Sequence, residues 1–327
     1  MLRIRAAAAF VLFSFFAVPS CAQFDSCQHR TVTVSLSAED GSTLPPLESA
    51  NFEGVYRQIP IHVTSAALNR DPIRVVLLLD VSGSMKGMAP GFEARVSLDV
   101  AENFVYSMAP ETAIGLGFFY TELLPISPPT TDRKSLESQL EALRSHPESF
   151  RGKTALWDAV LGSAKLFDHP RLGDVIYVIT DGGDNASKIN LNHVVQTLAE
   201  SGIRLFGLVY QAPSTLRRSE EEVIGPPNLD RVARETGGTI LTQMAISVGS
   251  MQISGVATLV DKSGKPTVLG LHLGSQFRQM TSFYRIAFDL PETLHKPQEW
   301  KLELAGLEKP QRGQITLTYP HMLAACK

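Results

Sequence analysis

The stretch that most constrains this chain is IRVVLLLDVSGSM, Ile73 to Met85. Ile73, Val75, Val76, Leu77, Leu78 and Leu79 make an apolar run suited to a strand buried on both faces, the kind found in parallel sheets covered by helices. The run stops at Asp80. Acceptors then recur at regular spacing, Asp80, Ser82 and Ser84, with Gly83 letting the turn tighten. A carboxylate and two hydroxyls at i, i+2 and i+4 can curl round one point and direct their oxygens at a small hard cation. Asp, Ser and Gly also crowd ordinary turns, so the triplet alone does not separate a cation site from a solvated loop.

Two later segments add acceptors. In RGKTALWDAV, Thr154 is expected to open a helix, with Asp158 one turn further on. DVIYVITDGGDN is a second buried strand, ending on Asp181 and followed by Gly182 and Gly183. Together the three segments resemble the metal-ion-dependent adhesion site of von Willebrand factor A-type domains, the family that includes the integrin inserted domains. The resemblance implies a metal set of Asp80, Ser82, Ser84, Thr154 and Asp181. It also implies that the open coordination position takes a carboxylate from a partner protein.

From Ile73 the pattern alternates strand and helix: a helix over Phe92–Met108, a strand from Ala113, and a helix whose N-cap is expected at Ser135. Then come the helix Thr154–Phe167, the strand Val175–Thr180, a helix from Leu191 closed by Gly202, and the strand Ile203–Tyr210. A short helix Asn228–Thr236 leads to the strand Thr239–Thr242. Such alternation predicts an α/β fold, a doubly wound and mostly parallel sheet. In those sheets ligands bind beyond the carboxyl ends of strands, where Asp80 and Asp181 both fall.

The flanks read differently. Residues 1–23 look like an export signal: Arg3 and Arg5, the apolar run Ala6–Val18, then small residues. Val18-Pro19-Ser20-Cys21 resembles a bacterial lipobox, so a lipid anchor at Cys21 stands beside cleavage after Ala22. The expected location is exported: bacterial periplasm, cell surface or secreted. TVTVSLS and VYRQIPIHVTSA alternate as strands, as do SFYRIAFDLPE, EWKLELAG and GQITLTYP near the other end. Neither set can bury an apolar face alone. The expectation is a small β-sandwich made jointly by 24–70 and 283–327, with the α/β domain at 71–282 inserted in it. That would bring Cys27 beside Cys326, free to pair in an oxidising compartment or to remain two thiols. Tyr284-x-Ile286-x-Phe288, Trp300, Arg312-Gly313 and Tyr319 resemble the acidobacterial von Willebrand A-related proteins, in which β segments flank the A domain. Residues 245–266 read as a hairpin turning at Asp261-Lys262-Ser263-Gly264, with helical spacing resuming at Leu269.

Three hydroxyls and two carboxylates form a hard oxygen site, suited to Mg²⁺ or Mn²⁺ rather than zinc or copper. No nucleic-acid partner is expected, since 30 basic residues stand against 33 acidic ones without a basic run. Nor is an enzyme: no HExxH or GxSxG occurs, the 8 histidines have no ligand spacing, and Gly152-Lys153-Thr154 lacks the earlier glycine of a phosphate loop. The alternative is an envelope scaffold with a vestigial metal site and a β part that mediates assembly. Asn185-Ala186-Ser187 is a formal glycosylation acceptor, Glu220–Glu222 reads as a solvated acidic loop, and Trp157 as core.

Overall fold

The computed structural model describes residues 27–38, 46–86, 92–211, 219–244, 268–307 and 315–326. Three strands come first, β1 (His29–Ala38), β2 (Phe52–Tyr56) and β3 (Ile59–Leu68). The alternating region follows with β4 (Arg74–Asp80), α1 (Phe92–Ser107), β5 (Ala113–Phe119), β6 (Leu123–Thr130), α2 (Arg133–Ser145) and α3 (Leu156–Ala164). It continues with β7 (Val175–Thr180), α4 (Leu191–Ser201), β8 (Arg204–Gln211), α5 (Glu220–Thr236), β9 (Ile240–Met244) and α6 (Val268–Thr281). Last come β10 (Phe283–Asp289), β11 (Gln298–Glu299), β12 (Lys301–Leu304), β13 (Ile315–Thr318) and β14 (Met322–Leu323).

The first large sheet has the order β6-β5-β4-β7-β8-β9 and is parallel except for β6. Its central strand feeds two cores, because successive side chains point to opposite faces. Val75, Leu77 and Leu79 pack with Phe104 of α1, Leu136 and Leu140 of α2, and Leu273 and Met280 of α6. Val76 and Leu78 pack on the other face with Trp157 and Val160 of α3, Val194 and Leu198 of α4, and Leu229 and Val232 of α5. This is the doubly wound α/β fold that the alternation predicts.

The terminal strands form a second sheet, ordered β12-β2-β3-β10-β1-β13, with β11 and β14 as a separate two-stranded ribbon. All its pairings are antiparallel. β3 pairs with β2 over Ile59–His62 and with β10 over Val63–Leu68, so one long strand belongs to both halves. Side chains of the two halves meet: Phe52 lies 5.8 Å from Tyr284, and Phe288 stacks on Trp300 at 4.7 Å between ring centres. The expected two-layer arrangement is thus one sheet folded over at β3 around a shared core.

β3 and β10 are hydrogen-bonded neighbours, with Leu68 opposite Tyr284 and Asn69 N–H donating to Phe283 O at 2.8 Å. The α/β region therefore leaves and rejoins the second sheet between two paired strands. At this junction Arg204 is fully buried. Its guanidinium donates to the carbonyls of Gln279 (3.2 Å), Met280 (2.7 Å) and Gly173 (3.1 Å), and lies 4.2 Å from the Phe283 ring centre. Burial pulls its pKa down to about 9, which still leaves it charged at neutral pH. Cys27 and Cys326 form a disulfide, Cα atoms 5.5 Å apart and 299 residues apart in sequence.

Several local expectations need correcting. VYRQIPIHVTSA is not one strand: Arg57 and Gln58 take φ of 46° and 68°, and turn β2 into β3 as a hairpin without the usual glycine. α2 is capped by Asp132, whose carboxylate accepts the Ser135 N–H, so Ser135 lies inside the helix rather than at its start. β6 was not anticipated, because Pro125, Pro128 and Pro129 argue against a strand; it is an edge strand, where missing N–H groups are tolerated. α3 begins at Leu156 with Ala155 as N-cap, so Thr154 precedes the helix instead of opening it. α5 starts at Glu220, eight residues before the expected Asn228, which makes Glu220–Glu222 a first helical turn and not a loop. The export signal with Cys21, the 245–266 hairpin and Arg312-Gly313 lie outside the described residues.

Candidate metal centre

β4 and β7 run side by side in parallel, with Leu79 opposite Ile179, so both strands deliver their next residues to the same sheet edge. Asp80 ends β4 and is buried. Its carboxylate is held from two sides: Oδ1 accepts the Ser82 N–H at 2.8 Å, and Oδ2 accepts the Thr180 hydroxyl at 2.6 Å. The first bond curls the loop back on its own aspartate; the second ties that loop to β7.

The curl brings the Ser82 and Ser84 hydroxyl oxygens to 3.0 Å from each other. The Ser84 hydroxyl lies on the side of the Asp181 carboxylate, where it counters the effect of burial on that group. Asp181 Oδ1 accepts the Gly183 N–H at 3.0 Å, a turn that Gly182 permits at φ 88°. Asp80, Ser82, Ser84 and Thr180 are thus joined by hydrogen bonds, with Asp181 beside them and Thr180 a member that a strand-ending threonine did not advertise.

Thr154 arrives on a third loop, laced to the first by Gly83 N–H to Gly152 O (3.1 Å) and Arg151 N–H to Val81 O (2.8 Å). Thr154 is buried at 3% exposure, too little for a solvent-facing loop hydroxyl. Asp158 does not join the group: its carboxylate accepts the N–H groups of Lys188 and Ile189 and orders the loop after Asp181.

Burial, and then the facing Asp181, push the Asp80 carboxyl up to about 7, and burial also raises Asp181. Among the described residues no ion pair includes either carboxylate. A buried carboxylate and a partly buried one, side by side among uncharged hydroxyls, are costly to ionise together and are relieved by a cation, so the donor set fits a hard divalent ion. No cluster of three or more His, Cys, Asp or Glu in metal-binding arrangement occurs among the described residues.

α5 completes the surroundings. Its start is capped reciprocally by Ser219 and Glu222, a Ser-x-x-Glu signal legible in the sequence. Glu221 accepts from Asn185 Nδ2 at 3.3 Å, and Glu222 adds to the raised pKa of Asp181. The acidic turn therefore borders the loop that follows Asp181.

An open, mostly parallel sheet with acidic and hydroxyl side chains gathered beyond two adjacent strands defines an α/β domain with a polar loop cluster at the carboxyl edge of its sheet. Residues 75–183 match the family model for the von Willebrand factor type A domain, and the chain carries such a domain. Comparison with curated proteins gives no match. Similar solved structures include an aerotolerance-related membrane protein from Bacteroides fragilis, 22% identical over 52% of this chain and 91% of that one, at a TM-score of 0.41. A von Willebrand factor type A protein from Catenulispora acidiphila is 11% identical over 93% and 76%, at 0.47. Proximal thread matrix protein 1 from the mussel byssus, with a zinc-occupied MIDAS motif, is 13% identical over 68% and 49%, at 0.44.

Proposed function

We propose that this protein is an exported, metal-dependent protein-binding module, with 71–282 as the binding domain and 24–70 and 283–327 as its β support. Von Willebrand A domains are in general interaction modules rather than enzymes. The reading here is finer. Ser82, Ser84 and Thr154 would hold Mg²⁺ or Mn²⁺ through hydroxyls, and Asp80 and Asp181 would balance its charge. Hydroxyl ligands leave the ion electron-poor, so it would seek an acidic side chain of a partner at the remaining coordination position. A metal–carboxylate contact shielded from water is stronger than an exposed ion pair.

The observation that carries this reading is the buried Asp80 carboxylate, beside the partly buried Asp181 and the Ser82 and Ser84 hydroxyls, with no basic side chain ion-paired to either aspartate among the described residues. Among those residues no helix is long and apolar enough to cross a membrane. The test is calorimetry with Mn²⁺, followed by pull-down from envelope extract with and without EDTA. One Mn²⁺ site in wild type, none in Asp181→Ala, and partner capture abolished by EDTA are the expected results. Capture that survives EDTA would instead favour the scaffold alternative, with the folded β-sheet as the assembling surface.

A further inference from the structure

We infer that Asn185 is the positioning residue for Thr154, fixing the threonine hydroxyl for the metal and anchoring that arrangement to α5 through Glu221. The inference rests on the metal-site reading above and deepens it.

Thr154 belongs to no helix or strand. It lies two residues after Gly152, at φ 79°, and precedes Ala155, an N-cap that makes no side-chain cap bond. Its place must come from hydrogen bonds, and both of its backbone groups go to one residue. Thr154 N–H donates to Asn185 Oδ1 at 2.9 Å, and Asn185 N–H donates to Thr154 O at 2.9 Å. Ala186 N–H joins the same carbonyl at 3.0 Å. The other end of the Asn185 amide donates to Glu221 Oε1 at 3.3 Å. An amide is the side chain that serves both ends, accepting from Thr154 and donating to a carboxylate; aspartate would offer Glu221 no donor and a like charge.

The same geometry explains Asn185-Ala186-Ser187. The amide nitrogen is committed to Glu221, and the Ser187 hydroxyl donates to Asp184 while accepting the N–H groups of Trp157 and Asp158. The triplet is a structural tie between the Asp181 loop, α3 and α5.

A neutral hydroxyl ligand contributes only if it is held close to its coordinating position, and outer partners of metal ligands typically carry a 10–100-fold effect on affinity. The experiment is a double-mutant cycle on Mn²⁺ affinity, read by calorimetry and by the Mn²⁺ electron paramagnetic resonance line shape, with Tm measured on each variant. Asn185→Ala should weaken Mn²⁺ by roughly 10–100-fold. In a Thr154→Ala background the same change should weaken it no further, because Asn185 acts through Thr154. A reversed pair, Asn185→Asp with Glu221→Gln, keeps the acceptor for Thr154, swaps donor and acceptor at the second bond, and conserves charge. It should bind Mn²⁺ within about threefold of wild type, while Asn185→Asp alone does not.

Wild-type affinity in Asn185→Ala, or fully additive losses in the cycle, would overturn the inference while leaving the metal site standing. If Asn185→Ala does not fold, a reversed pair that binds as poorly as Asn185→Asp overturns it. Wild-type protein that binds no Mn²⁺ removes both the site and the inference.

Discussion

Gly225 on α5 lies against Gly182 so closely that a Cβ added to Gly225 would overlap the Gly182 carbonyl oxygen. The helix and the loop after Asp181 therefore share one contact that any larger residue would break. Pro226 presses on the same glycine, with its Cγ 3.1 Å from where a Gly182 Cβ would stand.

Gly225→Ala should destabilise the fold by about 1–3 kcal/mol through overpacking, despite the better helix propensity of alanine. It should also weaken Mn²⁺, because α5 must retreat from the metal loops. Gly274→Ala on α6 is the matched control: its Cβ would meet only the far end of Arg278 at 3.8 Å. That change should stabilise by roughly 0.5–1 kcal/mol. Urea midpoints of the two variants check the pair, and equal effects would discount the contact.

Arg204→Met should be among the most damaging single changes. The methionine fills the volume but leaves the carbonyls of Gly173, Gln279 and Met280 without their shared donor. The Gln279 carbonyl keeps the Ser35 hydroxyl at 2.6 Å; buried acceptors left without a donor cost about 1–3 kcal/mol each, partly relieved by relaxation, so a total of roughly 3 kcal/mol is expected. Because the Gln279 and Met280 carbonyls end α6, hydrogen exchange should rise first in the last turn of that helix. A variant as stable as wild type would mean that the junction is held by packing alone.

His321 gives the fold a pH dependence near the C-terminal end of α5. It stacks on Tyr319 at 4.6 Å between ring centres. Burial, and then Arg234, lower its pKa, opposed by Glu299 and Glu235. With a depressed folded-state pKa, its contribution is present above the usual histidine value of about 6.5 and is lost as pH falls through the lower folded value. Taking the protein from pH 7.5 to 5.5 should therefore lower the wild-type Tm more than that of His321→Gln. Parallel Tm curves for the two would remove the assignment.

Much of this was legible in the chain. The run Ile73–Leu79 announced a doubly covered strand, and Asp80, Ser82, Ser84 and Asp181 announced the loops, because period and spacing are local properties. Hidden were features whose reasons are non-local. Pro226 and Pro227 concealed the first half of α5, although Ser219 and Glu222 marked its start. Prolines disguised β6, which survives only because it is an edge. The partnership of Asn185 with Thr154 joins residues |i−j|=31 apart, and no spacing rule reaches it.

The Cys27–Cys326 disulfide, with Cα atoms 5.5 Å apart, also sets how residues 27–326 would respond to force. A pull applied at the two ends of that span travels through the covalent cross-link and bypasses everything it encloses. The second sheet and the α/β domain then hang in parallel with the load rather than in series. In the oxidised state the span acts as a short inextensible link, the loops around Asp80 and Asp181 carrying no tension. After reduction the same pull would reach β1 directly and peel it from β10, beginning the collapse at the support and not at the binding site.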